Sequence, residues 1–117
     1  MTNWQLHPLD IGLWCRIIPL AFEVARDHKL PLKEILPTPY PEDMSKLGCC
    51  WPRLGIIHLV LRFKHPQTGA WMGPRPEADV WRTLAHELAH LEEERHSRRF
   101  DALLDTLLDD INRRRRR

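Results

Sequence analysis

The chain has 117 residues and a mass of 13.9 kDa, the size of one domain that buries about two-thirds of the surface its unfolded form exposes. Apolar residues at 43% and charged residues at 29% exclude a wholly disordered chain, and the longest apolar run, Leu54 to Leu61, is broken by His58 and falls far short of the ~20 residues a membrane helix needs. The net charge of +2 reports five terminal arginines: taking Arg113, Arg114, Arg115, Arg116 and Arg117 from the 18 basic residues leaves 13 against 16 acidic ones, so the pI of 8.6 implies no basic binding face on the body.

Leu9 to Lys29 reads as a helix, with Trp14, Ile17, Ile18, Ala21, Val24 and Ala25 at helical spacing and a kink or restart expected at Pro19. Prolines between Pro31 and Pro52 mark loops, with a short strand at Lys33 to Leu36. Gly55 to Phe63 reads as a central strand: Ile57, Leu59, Leu61 and Phe63 point one way, Ile56, His58 and Val60 the other. Gln67-Thr68-Gly69 is a turn signal, with a short return strand at Ala70 to Met72. Glu77 to about Glu92 is helical, with a stripe of Val80, Leu84, Leu88 and Leu91 beside Trp81 and Pro76 in the first turn. The last helix, about Arg98 to Asn112, carries Phe100, Leu103, Leu104, Leu107, Leu108 and Ile111 inward and Asp101, Asp105 and Asp109 outward, with Ser97 as its N-cap. This order of helix, strands, helix, helix is an α+β pattern: a single domain over 1–112 followed by a basic tail over 113–117.

Cys15, Cys49 and Cys50 are odd in number, and two are adjacent. They read as free thiols of a reducing compartment, with Cys49 and Cys50 as small buried residues near a strand. The start, Met-Thr-Asn-Trp, has neither a basic segment nor an apolar one followed by a cleavage site. A cytoplasmic protein is therefore expected.

The chemistry concentrates at His86-Glu87-Leu88-Ala89-His90. Residues four apart share one helix face, so His86 and His90 can present nitrogens to one ion at ~2.0–2.1 Å, the Zn–N distance. Glu87 lies about 100° further round, beside the ion, where a base for water belongs. A catalytic zinc usually takes three protein ligands, and His96 is the candidate third. On an unbroken helix His96 would sit about 9 Å beyond His90 and point elsewhere. The helix must therefore end near Leu91 to Glu94, although no Gly or Pro forces it to. Three consecutive Glu there oppose the helix dipole, and Arg95 interrupts the apolar stripe.

The stretch Thr83 to Leu104, TLAHELAHLEEERHSRRFDALL, resembles the short zinc metallopeptidase domains of the SprT-like, WLM and YgjP-like (DUF45) groups. Those groups share HELxH, five residues, a third His and a Phe four residues beyond it, here His86, Glu87, Leu88, His90, His96 and Phe100. The resemblance implies a minimal zincin: an N-terminal helix, a small β-sheet, the HExxH helix, and a C-terminal helix opened by the third ligand. It implies Zn²⁺ on His86, His90 and His96, and hydrolysis of protein or peptide substrates with Glu87 as general base. Lys64 to Gly73 has the look of an insertion relative to the shorter YgjP-like spacing, and no separate DNA-binding domain or zinc ribbon accompanies the motif. An extended substrate could pair with a strand edge such as Ala70 to Met72. For the oxyanion stabiliser, Tyr40, His58, His65, Arg75 and Arg98 are open by chemistry alone. The alternative reading is a non-catalytic zinc-bearing protein, with nucleic-acid contact through Arg113, Arg114, Arg115, Arg116 and Arg117, whose guanidinium groups suit phosphates. No membrane partner is expected.

Overall fold

The computed structural model describes residues 5–39 and 46–117; Tyr40, one of the residues open as an oxyanion stabiliser, lies outside them. Its elements are a 3₁₀ turn at Pro8–Asp10, then α1 (Ile11–Asp27), β1 (Glu34–Pro37), β2 (Gly48–Trp51), β3 (Ile56–Leu59), β4 (Arg62–Lys64), β5 (Trp71–Pro74), α2 (Glu77–His90) and α3 (Arg98–Arg115). The fold is α+β, and its helix, strand, helix, helix order is the one the hydrophobic periods predict. Among the described residues no helix is long and apolar enough to cross a membrane.

The α1 helix presents Trp14, Ile17, Leu20, Ala21, Val24 and Ala25 to the core. It continues through Pro19 with no interruption of the helix. Pro19 and the residue four before it, Cys15, both lie on the exposed face, so the carbonyl that loses its partner meets water. Asp10, just before the helix, is buried and receives Nε and Nη2 of Arg62 at 2.9 Å each, a two-pronged ion pair that ties the start of α1 to β4.

The predicted strand Gly55 to Phe63 is two strands. β3 runs in the middle of a three-stranded sheet of order β1-β3-β2, parallel to β1 and antiparallel to β2. β4 pairs instead with β5 in a separate antiparallel ribbon. The chain changes sheet at Val60 and Leu61, which are both buried, whereas an alternating strand would hide only one of them. The polar backbone freed at this corner is paired: Val60 N donates to Leu47 O at 3.1 Å, and Arg75 N donates to Leu61 O at 3.0 Å. The return strand expected at Ala70 to Met72 is β5, and the segment Lys64 to Gly73 forms most of the β4–β5 ribbon, turning at 66–68.

The core gathers α1, α2, α3 and the inner face of β3. Ile57, Leu59, Val80, Leu84, Leu88, Phe100, Leu107 and Ile111 are all fully or nearly fully hidden. α2 packs against α3, α1, β2 and β3 and is the element on which the others converge. Ser97 caps α3 as expected, its Oγ accepting from Phe100 N at 3.2 Å.

α3 does not stop at Asn112; it runs through Arg115 and takes in three of the five tail arginines. Cations at a helix C-terminus complement its dipole, and carboxylates three and four residues back add to this. Arg114 is largely buried, with bonds to Asp110 Oδ1 (2.8 Å), Glu23 Oε1 (2.6 Å) and Asp27 Oδ2 (2.8 Å). Asp110 is itself buried and also meets Arg113 and His28 Nε2, the latter at 2.8 Å. Arg117 reaches Glu23 at 2.9 Å, and Arg115 lies over the Trp81 ring and 3.8 Å from Glu77. The tail thus fastens α3 to α1 and to the start of α2.

Candidate metal centre

His86 and His90 stand one turn apart near the end of α2, and His96 lies just before α3. The helix ends where the spacing required. Leu91 N donates to Leu88 O at 3.1 Å and Glu92 N to Ala89 O at 3.2 Å, the three-residue bonds of a tightened last turn, and His90 Nδ1 lies 3.0 Å from Glu93 O. A carbonyl only accepts, so His90 Nδ1 carries the proton and Nε2 offers a lone pair. Ser97, with φ −124° and ψ −179°, then sets extended backbone ahead of α3, which no continuous helix allows.

The fold-back brings the three rings together. His90 Nε2 lies 3.1 Å from His86 Nε2 and 3.0 Å from His96 Nε2, and one nitrogen from each residue falls within 4.8 Å of the others. Ligands ~2.0–2.1 Å from a tetrahedral ion stand ~3.3 Å apart, so this spacing is that of a ligand set. One lone pair on His90 cannot satisfy two neighbouring nitrogens well, whereas a single cation satisfies all three. The donor chemistry fits a borderline metal ion held by neutral imidazoles. Burial, first, and the neighbouring imidazoles push the pKa of His86 down, and burial dominates the lowering at His90, so both favour the neutral, ligating form.

Behind the rings lies Phe100, 2% exposed, with its centroid 5.0, 4.6 and 4.8 Å from those of His86, His90 and His96. It gives the site an apolar floor. The sequence carried a trace of it, as the Phe four residues after the third His, but assigned it no role at the site.

In front of the rings is a cleft of about 670 Å³. One wall comes from α2 and the turn after it: Arg82, Thr83, His86, Glu87, His90, Glu94 and His96. The other comes from Lys46, Leu47, Pro52 and the strand β2. Glu87 is buried, and desolvation raises its carboxyl to a pKa of about 7, against a smaller opposing pull from Lys46. Its burial follows from Gly48. A Cβ built there would stand 2.9 Å from Thr83 Cγ2 and 3.1 Å from Glu87 Cγ, so β2 lies directly on this face of α2.

The four described residues open as oxyanion stabilisers are placed elsewhere. His58 packs edge-on against Trp51 at 4.7 Å. His65 Nδ1 accepts from Gln67 N and Thr68 N in the β4–β5 turn, Arg98 is exposed at the start of α3, and Arg75 is bonded to Leu47 O just before β2, Val60 O just after β3 and Thr83 Oγ1 on α2. Among the described residues the cationic side chains that line the cleft are Lys46 and Arg82, which composition and spacing had not singled out. Cys49 and Cys50 are half-buried on β2 and also line the cleft, and burial raises Cys50 to about 12, so its thiol stays protonated and uncharged. The β5 edge at Trp71 and Met72 does not reach the cleft; the strand that does is β2, an edge of the three-stranded sheet.

No curated protein and no solved structure matches the chain significantly. Residues 83–117, which contain all three imidazoles and Glu87, match the family model described as YgjP-like, metallopeptidase domain, so this segment of the chain is similar to that family, as its motif implies.

Proposed function

We propose that the protein is a zinc-dependent metallopeptidase in which His86, His90 and His96 hold the ion and Glu87 is the general base. The observation that carries this reading is the convergence of three imidazole nitrogens in a cleft that also contains a buried carboxyl. The family similarity over residues 83–117 points the same way.

When bound, a zinc ion supplies Lewis acidity toward a carbonyl oxygen and acidifies water. The chain supplies the rest. His90 keeps its ligating nitrogen unprotonated by donating its other N–H to Glu93 O. Glu87, raised toward neutrality by its surroundings, is suited to take the proton of an attacking water and return it to the leaving amine. A peptide in extended conformation would add to the outer side of β2, laying its backbone along the cleft beside Glu87. Lys46 and Arg82 are the cations in reach of negative charge developing there.

The test is Glu87→Gln. The variant should bind zinc with wild-type stoichiometry and lose hydrolysis of an unfolded protein substrate. Hydrolysis retained at the wild-type rate would remove Glu87 from the mechanism.

A further inference from the structure

Arg75 lies between β5 and α2 and directs both terminal nitrogens of its guanidinium at neighbouring chain segments, one on the strand side and one on the helix side. On the strand side, Nη1 donates to Val60 O at 2.7 Å and to Leu47 O at 3.4 Å, the two carbonyls one residue past the β2–β3 ladder. On the helix side, Nη2 donates to Thr83 Oγ1 at 2.8 Å and to Asp79 O at 3.3 Å. Thr83 Oγ1 in turn donates to Asp79 O at 3.0 Å, which fixes the rotamer of Thr83.

The orientation of Thr83 bears on Glu87. With its hydroxyl turned to Arg75, its methyl group presses on Gly48, and Gly48 in turn lies against Glu87 Cγ. Thr83 and Glu87 are one turn apart on the same face of α2. One fork therefore holds the start of β2, through Leu47 O, at a fixed distance from the part of α2 that carries Glu87. The three imidazoles are placed by other means: the end of α2, the Glu93 carbonyl and Phe100.

We infer that Arg75 is a positioning residue that sets the placement of the Glu87 carboxyl relative to the three imidazoles, acting through Thr83 and the Gly48 contact. This rests on the peptidase reading for its rate consequence but not for its geometry. A lysine in place of Arg75 keeps the charge but not the fork, and cannot bridge both elements at once. A valine in place of Thr83 keeps the methyl packing and removes only the oxygen that Arg75 grips.

The experiment compares wild type, Arg75→Lys, Thr83→Val and Glu87→Gln, each loaded with Zn(II) for kinetics on an unfolded protein substrate and with Co(II) for the visible absorption spectrum. In Arg75→Lys and Thr83→Val, metal stoichiometry should be unchanged and KM should stay within about threefold, while kcat should fall about 10- to 100-fold, the scale of a misplaced catalytic group. Their cobalt spectra should move toward that of Glu87→Gln. Folded, metal-loaded variants with wild-type kcat and wild-type spectra would overturn the inference, as would a loss confined to KM or to thermal stability. If Arg75→Lys does not fold, Thr83→Val decides alone. If the wild-type protein hydrolyses nothing, the peptidase reading fails, and the cobalt spectra still decide: a shift in Thr83→Val supports the positioning role, and a wild-type spectrum overturns it.

Discussion

Arg114→Met tests whether the arginine tail is part of the folded body. Arg114 is 11% exposed at its side chain, and it bonds Asp110, whose side chain is 6% exposed, at 2.8 Å. Methionine keeps most of the apolar stem and removes the charge. Removing one partner of a buried ion pair costs about 3–5 kcal/mol when the other charge is left uncompensated. Here His28 at 2.8 Å and the exposed Arg113 remain beside Asp110, so a loss of about 2–4 kcal/mol is expected. For a domain of this size each kcal/mol moves Tm by about 4 °C, giving a fall on the order of 10 °C in a calorimetric or circular dichroism melt. Arg116→Met, at an exposed position, should change Tm by no more than about 2 °C. The double variant Asp110→Asn/Arg114→Met should recover part of the loss, because no buried charge is then stranded. Acid provides a second arm. Arg114 first, then His28, hold the Asp110 carboxyl well below the usual carboxylate range. A depressed folded pKa adds stability above the unfolded value of ~3.9, and that stability is lost as the pH falls through the folded value. The gap between wild type and Arg114→Met should therefore be constant from pH 7 to about 5 and close below about 4. An Arg114→Met protein that melts with Arg116→Met at neutral pH would refute the reasoning.

Three other outcomes follow from the site. His96→Ala should weaken zinc binding by more than about 100-fold in competition titrations while leaving the fold intact, since His96 is exposed; wild-type affinity would remove it from the ligand set. Chelation should cost the zinc-loaded protein about 2.7 kcal/mol of stability where free zinc had stood at 100 times its Kd, read as a fall in Tm, and added zinc should restore it. Gly48→Ala places a methyl group 2.9 Å from Thr83 Cγ2 and 3.1 Å from Glu87 Cγ. It should cost about 1–3 kcal/mol in denaturant unfolding and slow hydrolysis with zinc still bound; an unaffected rate would mean that β2 yields without disturbing Glu87.

Local period and spacing made much of this molecule legible in advance. The inward stripe of α3 and the four-residue step from His86 to His90 are properties of a short stretch of chain, and they survive folding unchanged. The break before His96 was visible only as a geometric need. What makes it, the Glu93 carbonyl meeting His90, is a contact between groups whose propensities do not announce a stop. The split of Gly55 to Phe63 was hidden because Val60 and Leu61 are apolar on both sides of the corner, so alternation alone reads straight through it. The contacts of the arginine tail were hidden for a related reason: Asp110 stands one turn back on the same helix, but Glu23 and Asp27 come beside Arg114 only when α1 is packed against α3. Arg75, Thr83 and Gly48 carry no local signal at all, because their meeting depends on how β2 is set against α2.

Phe100 is at once a member of the hydrophobic core and the surface on which the three imidazoles rest. In a chain this small there is no intervening layer between what keeps the body folded and what shapes the imidazole cluster. Trimming that ring would loosen the interior and displace the three imidazoles in one stroke, so neither property can drift without the other. At the open rim of the cleft, by contrast, Lys46, Arg82 and Glu94 are exposed, and change there need not touch what holds the molecule together.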